Sequence, residues 1–411
     1  MIAPASIPPT VAEGIVNYKL IKVLCEAGYK VDLISRIHKN KVYPVDYISI
    51  DENLCKIHYI PSETKITLAT IWQHICAYMK FGITYRGAHW AYLALRKALA
   101  LLDDNIYECV LTKSLPSELV GIYLKKYRGL RWIPTWNDPY PEQKYPWPYG
   151  KGVNAPMPIL SKMLIPSMVR YADVHIFPSS RLRDYMMKYL VGLKKEATIV
   201  IPHIAEVVPI HPFNLDTLRI IHSGNLSYPR DPKTFLCAVA SFFHKYPDAK
   251  MKIDFLGINR SVSDLVNELR LKDIVSEYPA MPYNDSLKMV KQYDVAVVLE
   301  AACEEGIFLP TKVGDYMQCG LNIWSISPSQ GELHDLYLDE KISYFSDVEN
   351  QADIETTYYK NNVYIFLSSN IIAVNTLYSE GTENYCRTIY CINSRHILLL
   401  WLYDRFRLEK L

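Results

Sequence analysis

The sequence is poor in glycine and has no recognisable cysteine pattern. Glycine accounts for 16 of 411 residues, well below the usual share of about 7%. The nine cysteines are an odd number, include no C-x-x-C pair and form no cluster with histidine. This distribution is typical of buried thiols in a reducing compartment and argues against a disulfide framework or a zinc site. The cysteines therefore predict no zinc site, and we expect no other metal and no cofactor.

The chain also lacks an excess of charge of either sign. It has 45 Lys and Arg against 43 Asp and Glu, a balance that argues against a broad nucleic-acid-binding surface. Half of the residues are hydrophobic, which excludes a disordered chain. No window approaches the roughly 20 apolar residues of a membrane span, and no secretory signal follows Met1. We expect a cytoplasmic protein that does not bind nucleic acid.

Strand and helix patterns alternate along the chain, whose length suggests two domains. Helical spacing, including one long region at 71–102, separates the strand patterns. Strands are predicted at 29–34, 56–60, 108–112, 131–136, 174–178 and 197–201 and, after a linker at 203–217, at 218–222, 251–256, 275–280, 294–299 and 322–325. This alternation predicts an α/β fold of doubly wound parallel sheets. We predict domains at 1–205 and 206–350, and a helical tail at 351–411 that packs back across their junction.

The first domain opens without an obvious strand. Only residues 1–3 could supply the buried strand with which a doubly wound domain begins. Either that strand is very short or the chain begins downstream of its natural start. In such folds ligands bind at the carboxyl ends of the strands, and a second domain creates a cleft between the domains.

The segment 220–232 combines a strand end, a glycine and an arginine. Gly224 follows the strand, where it lets the backbone approach a ligand, and Arg230 lies at the start of the next helix. A helix N-terminus suits a diphosphate, and arginine offers a planar, bidentate donor to phosphate oxygens. The alternative is an ordinary strand–helix turn with a solvated arginine.

The segment 304–320 contains a second candidate anion site. Pro310 is placed near a helix start, and Thr311 and Lys312 would present backbone donors and a cation. Asp315 falls on the same helix face, since residues three and four apart are neighbours. Its carboxylate could accept the two hydroxyls of a ribose, or it could be a solvated acid.

Together the two segments resemble retaining glycosyltransferases of family 4, which have the GT-B fold of two facing Rossmann-like domains. The family's strand–glycine–basic segment matches Gly224 to Arg230, and its Glu-x7-Glu segment matches Ile307 to Asp315. Residues 309–316 look like the subgroup motif L-P-x-K-x-x-E/D-Y. Weaker matches are Ala172-Asp173, Ile201-Pro202-His203 and Trp136-Asn137-Asp138-Pro139. The resemblance covers nearly the whole chain and is strongest over 218–331.

The resemblance implies retaining, metal-independent transfer of a sugar from a UDP- or GDP-sugar to a glycan or lipid-linked acceptor, in polysaccharide or cell-surface glycan biosynthesis. Arg230 and Lys312 would hold the diphosphate and stabilise charge on the leaving group, and Asp315 would bind the ribose. Residues 280–283 match the loop that contacts the base. The implied donor-binding residues are Gly14, Gly224, Asn225, Arg230, Tyr283, Pro310, Thr311, Lys312 and Asp315.

This sequence departs from the family pattern at the donor sugar and the reacting centre. Ile307 stands where the family has the first motif glutamate, and Glu305 is a possible substitute for the donor-sugar contact. Asn225 replaces a basic residue often found after the glycine. Asp138 stands in for the first-domain histidine commonly found near the reacting centre, which makes it the third candidate catalytic residue.

Two further regions allow alternative interpretations. The aromatic-rich segment 132–149 is either a sugar-stacking or lipid-facing rim, or a proline-rich loop packed on its domain. Residues 397–403, flanked by basic side chains, could form an interfacial helix that associates peripherally with the inner face of a membrane, or could pack across the domain junction. His222 and His244 have no partners at metal-ligand spacing, so we expect core or surface roles for them.

Two other functions compete with glycosyl transfer. A catalytically degenerate GT-B protein would bind a nucleotide-sugar or a partner without turnover, which Ile307 and the missing first strand favour. A sugar-nucleotide epimerase shares the two-domain fold but needs a dedicated acid/base set, which the sequence does not show.

Overall fold

The computed structural model describes residues 1–9, 11–37, 50–62, 65–206, 208–212 and 216–357. Within these residues the chain forms two compact units. The first contains Met1–Gln143 and Ala155–Pro202, and the second contains Lys144–Asn154 and the described residues from 203 to 357. The short segment Lys144–Asn154 therefore packs with a unit whose other residues follow much later in the sequence.

The first unit is built on a parallel sheet. Its strands are β1 (Val31–Ile37), β2 (Cys55–Pro61), β3 (Cys109–Lys113), β4 (Arg131–Thr135), β5 (His175–Phe177) and β6 (Thr198–Val200). The pairs β1–β2, β3–β4, β4–β5 and β5–β6 are parallel. Ile2 forms parallel bridges to Ile34 and Thr112 and so joins β1 to β3. It is buried, and the first strand is reduced to this one residue and its neighbours.

Six α-helices belong to the described part of the first unit. They are α1 (Ala12–Glu26), α2 (Leu68–Phe81), α3 (Ala88–Asp104), α4 (Ser117–Arg128), α5 (Ile159–Tyr171) and α6 (Ser180–Met187). The prediction of one helical region at 71–102 was wrong, because the chain turns between α2 and α3. Gly82 (φ 69°), the C-cap of α2, and Gly87 (φ 101°), the N-cap of α3, are left-handed, a conformation that glycine adopts without strain.

The second unit has a six-stranded sheet with all neighbours parallel. Its strands are β7 (Leu218–Ser223), β8 (Met251–Leu256), β9 (Val275–Tyr278), β10 (Val295–Leu299), β11 (Asn322–Ser327) and β12 (Tyr344–Asp347), in the order β12-β11-β10-β7-β8-β9. Its helices are α7 (Lys233–Lys245), α8 (Ser263–Glu268), α9 (Tyr283–Val290), α10 (Thr311–Gln318) and α11 (Glu332–Leu338). The predicted α/β fold with parallel sheets is confirmed.

Successive strand residues of the second unit enter opposite cores, as the two-residue period of a strand requires. Ile220 packs with Phe235 of α7 on one face, whereas Ile221 packs with Val313 of α10 on the other. Burial on both faces explains the continuous apolar runs of these strands. It also leaves the carboxyl ends of the strands as the place where polar side chains can gather.

The predicted tail at 351–411 is helical at 351–357. The rest of it, including the candidate interfacial segment 397–403, lies outside the described residues. Within those residues no helix combines the length and the apolar character that crossing a membrane requires.

Candidate functional site

The second unit gathers its charged side chains around the carboxyl end of β7. Gly224 follows this strand with φ at 90°, a left-handed conformation that favours glycine. A Cβ atom at this position would lie 3.7 Å from Nζ of Lys312. Glycine therefore brings the backbone of the loop close to Nζ of Lys312.

Lys312 lies in the first turn of α10 and contacts a buried histidine. Its Nζ is 3.2 Å from Nε2 of His222, whose Nδ1 is 3.0 Å from the carbonyl oxygen of Val297. A carbonyl only accepts, so Nδ1 carries the proton and Nε2 accepts from the ammonium. Burial and the nearby lysine hold the pKa of His222 well below 6.5, so its ring is neutral. His222 therefore orients the lysine without adding charge.

The pKa of Lys312 is lowered to a value near neutral pH. Burial, and secondly repulsion from the guanidinium of Arg230, lower it from 10.5 to about 7. Burial opposes the charged form of an amine, and a neighbouring cation does the same. Lys312 contacts His222 of β7, and Arg230 is bonded to Glu300 directly after β10, the strand paired with β7, so both cations lie at the same edge of this sheet.

Arg230 is held by a carboxylate that we did not predict. Its Nε donates to Oε1 of Glu300 at 3.1 Å, and the second oxygen, Oε2, accepts from the hydroxyl of Tyr149 at 2.7 Å. The guanidinium carbon lies 5.5 Å from the centre of the Tyr149 ring. Glu300 is only 8% exposed, and an ion pair screened from water in this way restrains both partners.

Tyr149 comes from the segment Lys144–Asn154, far from Glu300 in sequence. Its hydroxyl also accepts from the backbone N–H of Ala301 at 3.3 Å, and its ring lies 5.0 Å from that of Phe308. Tyr145 also contacts Phe308, at 5.6 Å between ring centres. These aromatic residues thus pack on the second unit beside the cations. Trp147 is the exposed member of the segment, with 71% of its surface accessible.

The start of α10 supplies the remaining donor-site residues. Pro310 is its N-cap and Thr311 its first residue, so first-turn N–H groups without an intrahelical acceptor lie next to Lys312. One turn later Asp315 accepts from the hydroxyl of Tyr283 at 2.5 Å. Tyr316 accepts from the backbone N–H of Ser223 at 2.9 Å, which fixes α10 to the end of β7.

The loop between β10 and α10 contains Ile307 and Glu305, which differ in their exposure. Ile307 is fully buried, so its side chain belongs to the core and does not reach a ligand. Glu305 is half-buried, and its neighbour Gly306 pairs with Gly331 through a parallel bridge. A Cβ on Gly331 would lie 2.9 Å from the carbonyl oxygen of Gly306, so these glycines permit close packing of two loops. Asn225 is exposed in the loop after Gly224.

The first unit has its own polar cluster at the carboxyl ends of β3 and β4. Lys113 is buried and donates to Oδ1 of Asn137 at 3.1 Å. Burial lowers its pKa to about 8, against the opposing charges of Glu13 and Asp138. Burial also raises the pKa of Glu118 to about 8. Asp138 is exposed, and it shares this cluster with residues that the sequence did not single out.

Gly14, in the first turn of α1, has a packing role. A Cβ atom there would lie 2.9 Å from the carbonyl oxygen of Ser6 and 3.1 Å from Cα of Pro9. Only glycine lets the preceding loop lie this close to the helix. The structure therefore accounts for this glycine without a ligand.

Three site residues of the second unit were missed by sequence reasoning. Glu300 directly follows a predicted strand, which is where functional side chains gather in parallel sheets. His222 ends another such strand and was assigned a core or surface role. Tyr149 had no comparable signal, because its contact depends on a chain segment that crosses to the other unit. Across the described residues, no group of three or more His, Cys, Asp or Glu side chains has an arrangement that could hold a metal ion.

Comparison with known proteins identifies the fold. No family model and no curated protein matches the chain. Solved structures do match, among them HepE of Anabaena in complex with UDP and glucose, with 10% identity, a TM-score of 0.61 and coverage of 98% of each chain. A sucrose-phosphate synthase from Thermosynechococcus elongatus has 16% identity and a TM-score of 0.58, over 99% of this chain and 96% of that one.

A third match is the E. coli structure described as trehalose-6-phosphate bound with UDP-2-fluoro glucose. Its identity is 12% and its TM-score 0.58, over 99% of this chain and 98% of that chain. These neighbours are GT-B proteins with two Rossmann-like domains. The chain has the α/β fold of this group, and identities this low establish the fold alone.

Proposed function

We propose that the chain is a retaining glycosyltransferase of the family 4 type, which moves a sugar from a UDP- or GDP-sugar to a glycan or lipid-linked acceptor in polysaccharide or cell-surface glycan biosynthesis. The observation that carries the proposal is the placement of Arg230 and Lys312 at one edge of the sheet, where they contact Glu300 and His222 at the ends of paired strands and Lys312 lies in the first turn of α10. The bound UDP and UDP-2-fluoro glucose named for two structural neighbours support it. Peripheral association with a membrane is part of the proposal, because a lipid-linked acceptor is held at a bilayer surface.

In this proposal the protein's own cations stabilise the leaving diphosphate. Arg230 presents its guanidinium from a position fixed by Glu300, and Lys312 adds an ammonium next to the N–H groups of α10. Preorganised donors of this kind act where negative charge develops, and one donor is typically worth ~10²–10³ in rate. Asp315 binds the ribose beside Tyr283, and residues 280–283 contact the base. The reaction proposed here uses no metal ion.

The acceptor side is assigned to the first domain, 1–205, and the donor side to the second, 206–350. Asp138 would lie near the reacting centre, in the cluster that contains Lys113 and Asn137. The side chains of this cluster are hydrogen-bond donors and acceptors suited to sugar hydroxyls.

Nucleotide binding to single-residue variants tests the phosphate site. We expect Arg230→Ala and Lys312→Ala each to weaken UDP or GDP binding by about tenfold to a hundredfold, because a hydrogen bond to a charged group contributes roughly 1.5–3 kcal/mol. Isothermal titration calorimetry measures the change. Arg260→Ala and Lys250→Ala remove exposed cations of the same unit and serve as controls. If both site variants bind the nucleotide as the wild type does, the proposed phosphate site is wrong.

A turnover assay distinguishes an active glycosyltransferase from a catalytically degenerate binding protein. The degenerate alternative is favoured by the buried Ile307, which stands where the family has a glutamate. The assay follows hydrolysis or transfer across common UDP- and GDP-sugars by product analysis, with and without candidate acceptors. We expect release of UDP or GDP with transfer that retains the anomeric configuration. Binding without any turnover would leave the degenerate protein as the better interpretation, and acceptor-independent inversion of a sugar carbon would identify an epimerase.

A further inference from the structure

Helix α2 presents its large apolar side chains to solvent. Leu68 is 87% exposed, Trp72 61% and Met79 65%. Ile71, Ile75 and Tyr78 of the same helix are also exposed, as is Ile66 just before it. At about 100° per residue, the six helical side chains occupy an arc of about 120°. They form one continuous stripe, which we call the α2 stripe.

The opposite side of α2 is the one that packs on the protein, against α3. Its buried side chains are small: Thr70, Cys76 and Ala77. This arrangement reverses the usual one, in which a surface helix buries its large apolar face. Exposing such a stripe to water is costly, and contiguous exposed apolar patches mark interaction sites.

The surroundings of the α2 stripe are basic. No Asp or Glu occurs from Lys65 to residue 102, and Lys65, Lys80 and Arg86 are exposed around the helix. Lys80 is the only charged residue of α2 itself.

We propose that the α2 stripe is a docking surface for an anionic lipid bilayer. Apolar side chains with Trp and Tyr among them insert at the boundary between headgroups and acyl chains, and flanking Lys and Arg side chains contact anionic headgroups. The charge favours anionic lipid over an apolar protein partner, because the charged residues from 65 to 86 are Lys65, Lys80 and Arg86, all of them exposed cations. The inference extends the proposed membrane association, and its test does not depend on sugar transfer.

Flotation of the full-length chain with vesicles tests this inference. The vesicles are phosphatidylcholine alone and phosphatidylcholine mixed with phosphatidylserine. We expect binding to the mixed vesicles that is weakened at least about tenfold by Trp72→Ser with Ile75→Ser, since each change removes a buried apolar side chain from the bilayer. The control is Ile106→Ser with Val191→Ser, which changes two exposed apolar residues elsewhere in the first unit. Lys65→Glu with Lys80→Glu should weaken binding by a similar factor.

The possible outcomes are distinguishable. Equal binding to both kinds of vesicle, or no difference between the stripe variant and the control variant, would overturn the inference. The inference would also be overturned if the protein did not bind vesicles and instead formed a dimer, seen by analytical ultracentrifugation, that the stripe variant disrupts. Thermal melts establish whether each variant is folded. If Trp72→Ser with Ile75→Ser does not fold, Lys65→Glu with Lys80→Glu provides the test. UDP binding measured in parallel reports on the proposed function separately, and we expect it to be unchanged.

Discussion

The protonation of Lys312 should make nucleotide binding dependent on pH. Burial and Arg230 lower its pKa to about 7, so about half of the nucleotide-free molecules carry the ammonium at pH 7. A diphosphate beside the amine favours the charged form and raises this pKa. Binding above pH 7 therefore takes up a proton, and the affinity for UDP should fall as the pH rises.

The size of the effect follows from the charged fraction of Lys312. Between pH 7 and pH 9 this fraction in the free protein falls from about one half to about one hundredth. If the diphosphate raises the pKa beyond 9, the dissociation constant for UDP should increase by roughly tenfold to fiftyfold over this interval. The charge of UDP itself changes little there, because a terminal phosphate with a pKa of about 6 is already about nine-tenths ionised at pH 7. Calorimetry in buffers of different ionisation enthalpy counts the protons taken up.

The variant Lys312→Arg is the control, because a guanidinium stays charged throughout this range. Its affinity should change much less with pH. The pKa of His222 is held well below 6.5 and that of Cys303 is raised to about 12, so neither group titrates between pH 7 and 9. Lys113 and Glu118, whose pKa values are both about 8, are present in both proteins and contribute equally. A flat wild-type profile, or an arginine variant with the same slope as the wild type, would refute the reasoning.

Two further predictions concern side-chain contacts. Tyr149→Phe should weaken UDP binding by about threefold to tenfold, because it removes one hydrogen bond. The loss should be smaller in a protein that already carries Glu300→Gln. Calorimetry measures this double-mutant cycle, and equal losses in both backgrounds would show that the hydroxyl does not act through Glu300. Gly121→Ala should lower the free energy of unfolding by about 3 kcal/mol, because its Cβ would lie 2.1 Å from Nε1 of Trp132. Denaturant titration measures the loss, Lys126→Ala in the same helix is the control, and similar stabilities of the two variants would contradict the steric argument.

The sheets could be predicted from sequence because parallel strands are buried on both faces. Continuous apolar runs at 218–222 and 251–256 correspond to β7 (Leu218–Ser223) and β8 (Met251–Leu256). The separation of α2 from α3 was missed because apolar spacing continues through it, although Gly82 and Gly87 lie within the predicted helix. The first strand of the first unit could not be recognised, since Ile2 alone carries its bridges.

The candidate site was predictable only where a local motif carries it. Gly224, Arg230 and Lys312 lie in short segments with helix-start and strand-end signals, and the structure brings them together. Glu300 and Tyr149 act through contacts between distant parts of the chain, which no local pattern encodes. Ile307 was interpreted as a lost ligand-binding position, whereas its burial shows a core residue.

The two cations of the site have different partners and therefore different properties. Glu300 fixes Arg230 but also offsets its charge, and the guanidinium does not titrate. His222 fixes Lys312 through a neutral nitrogen, so the lysine keeps its full positive charge for a ligand once it is protonated. A carboxylate in place of His222 would hold the lysine protonated, but would neutralise the charge that a diphosphate needs. The neutral partner thus leaves the charge of Lys312 available and makes that charge sensitive to pH near 7.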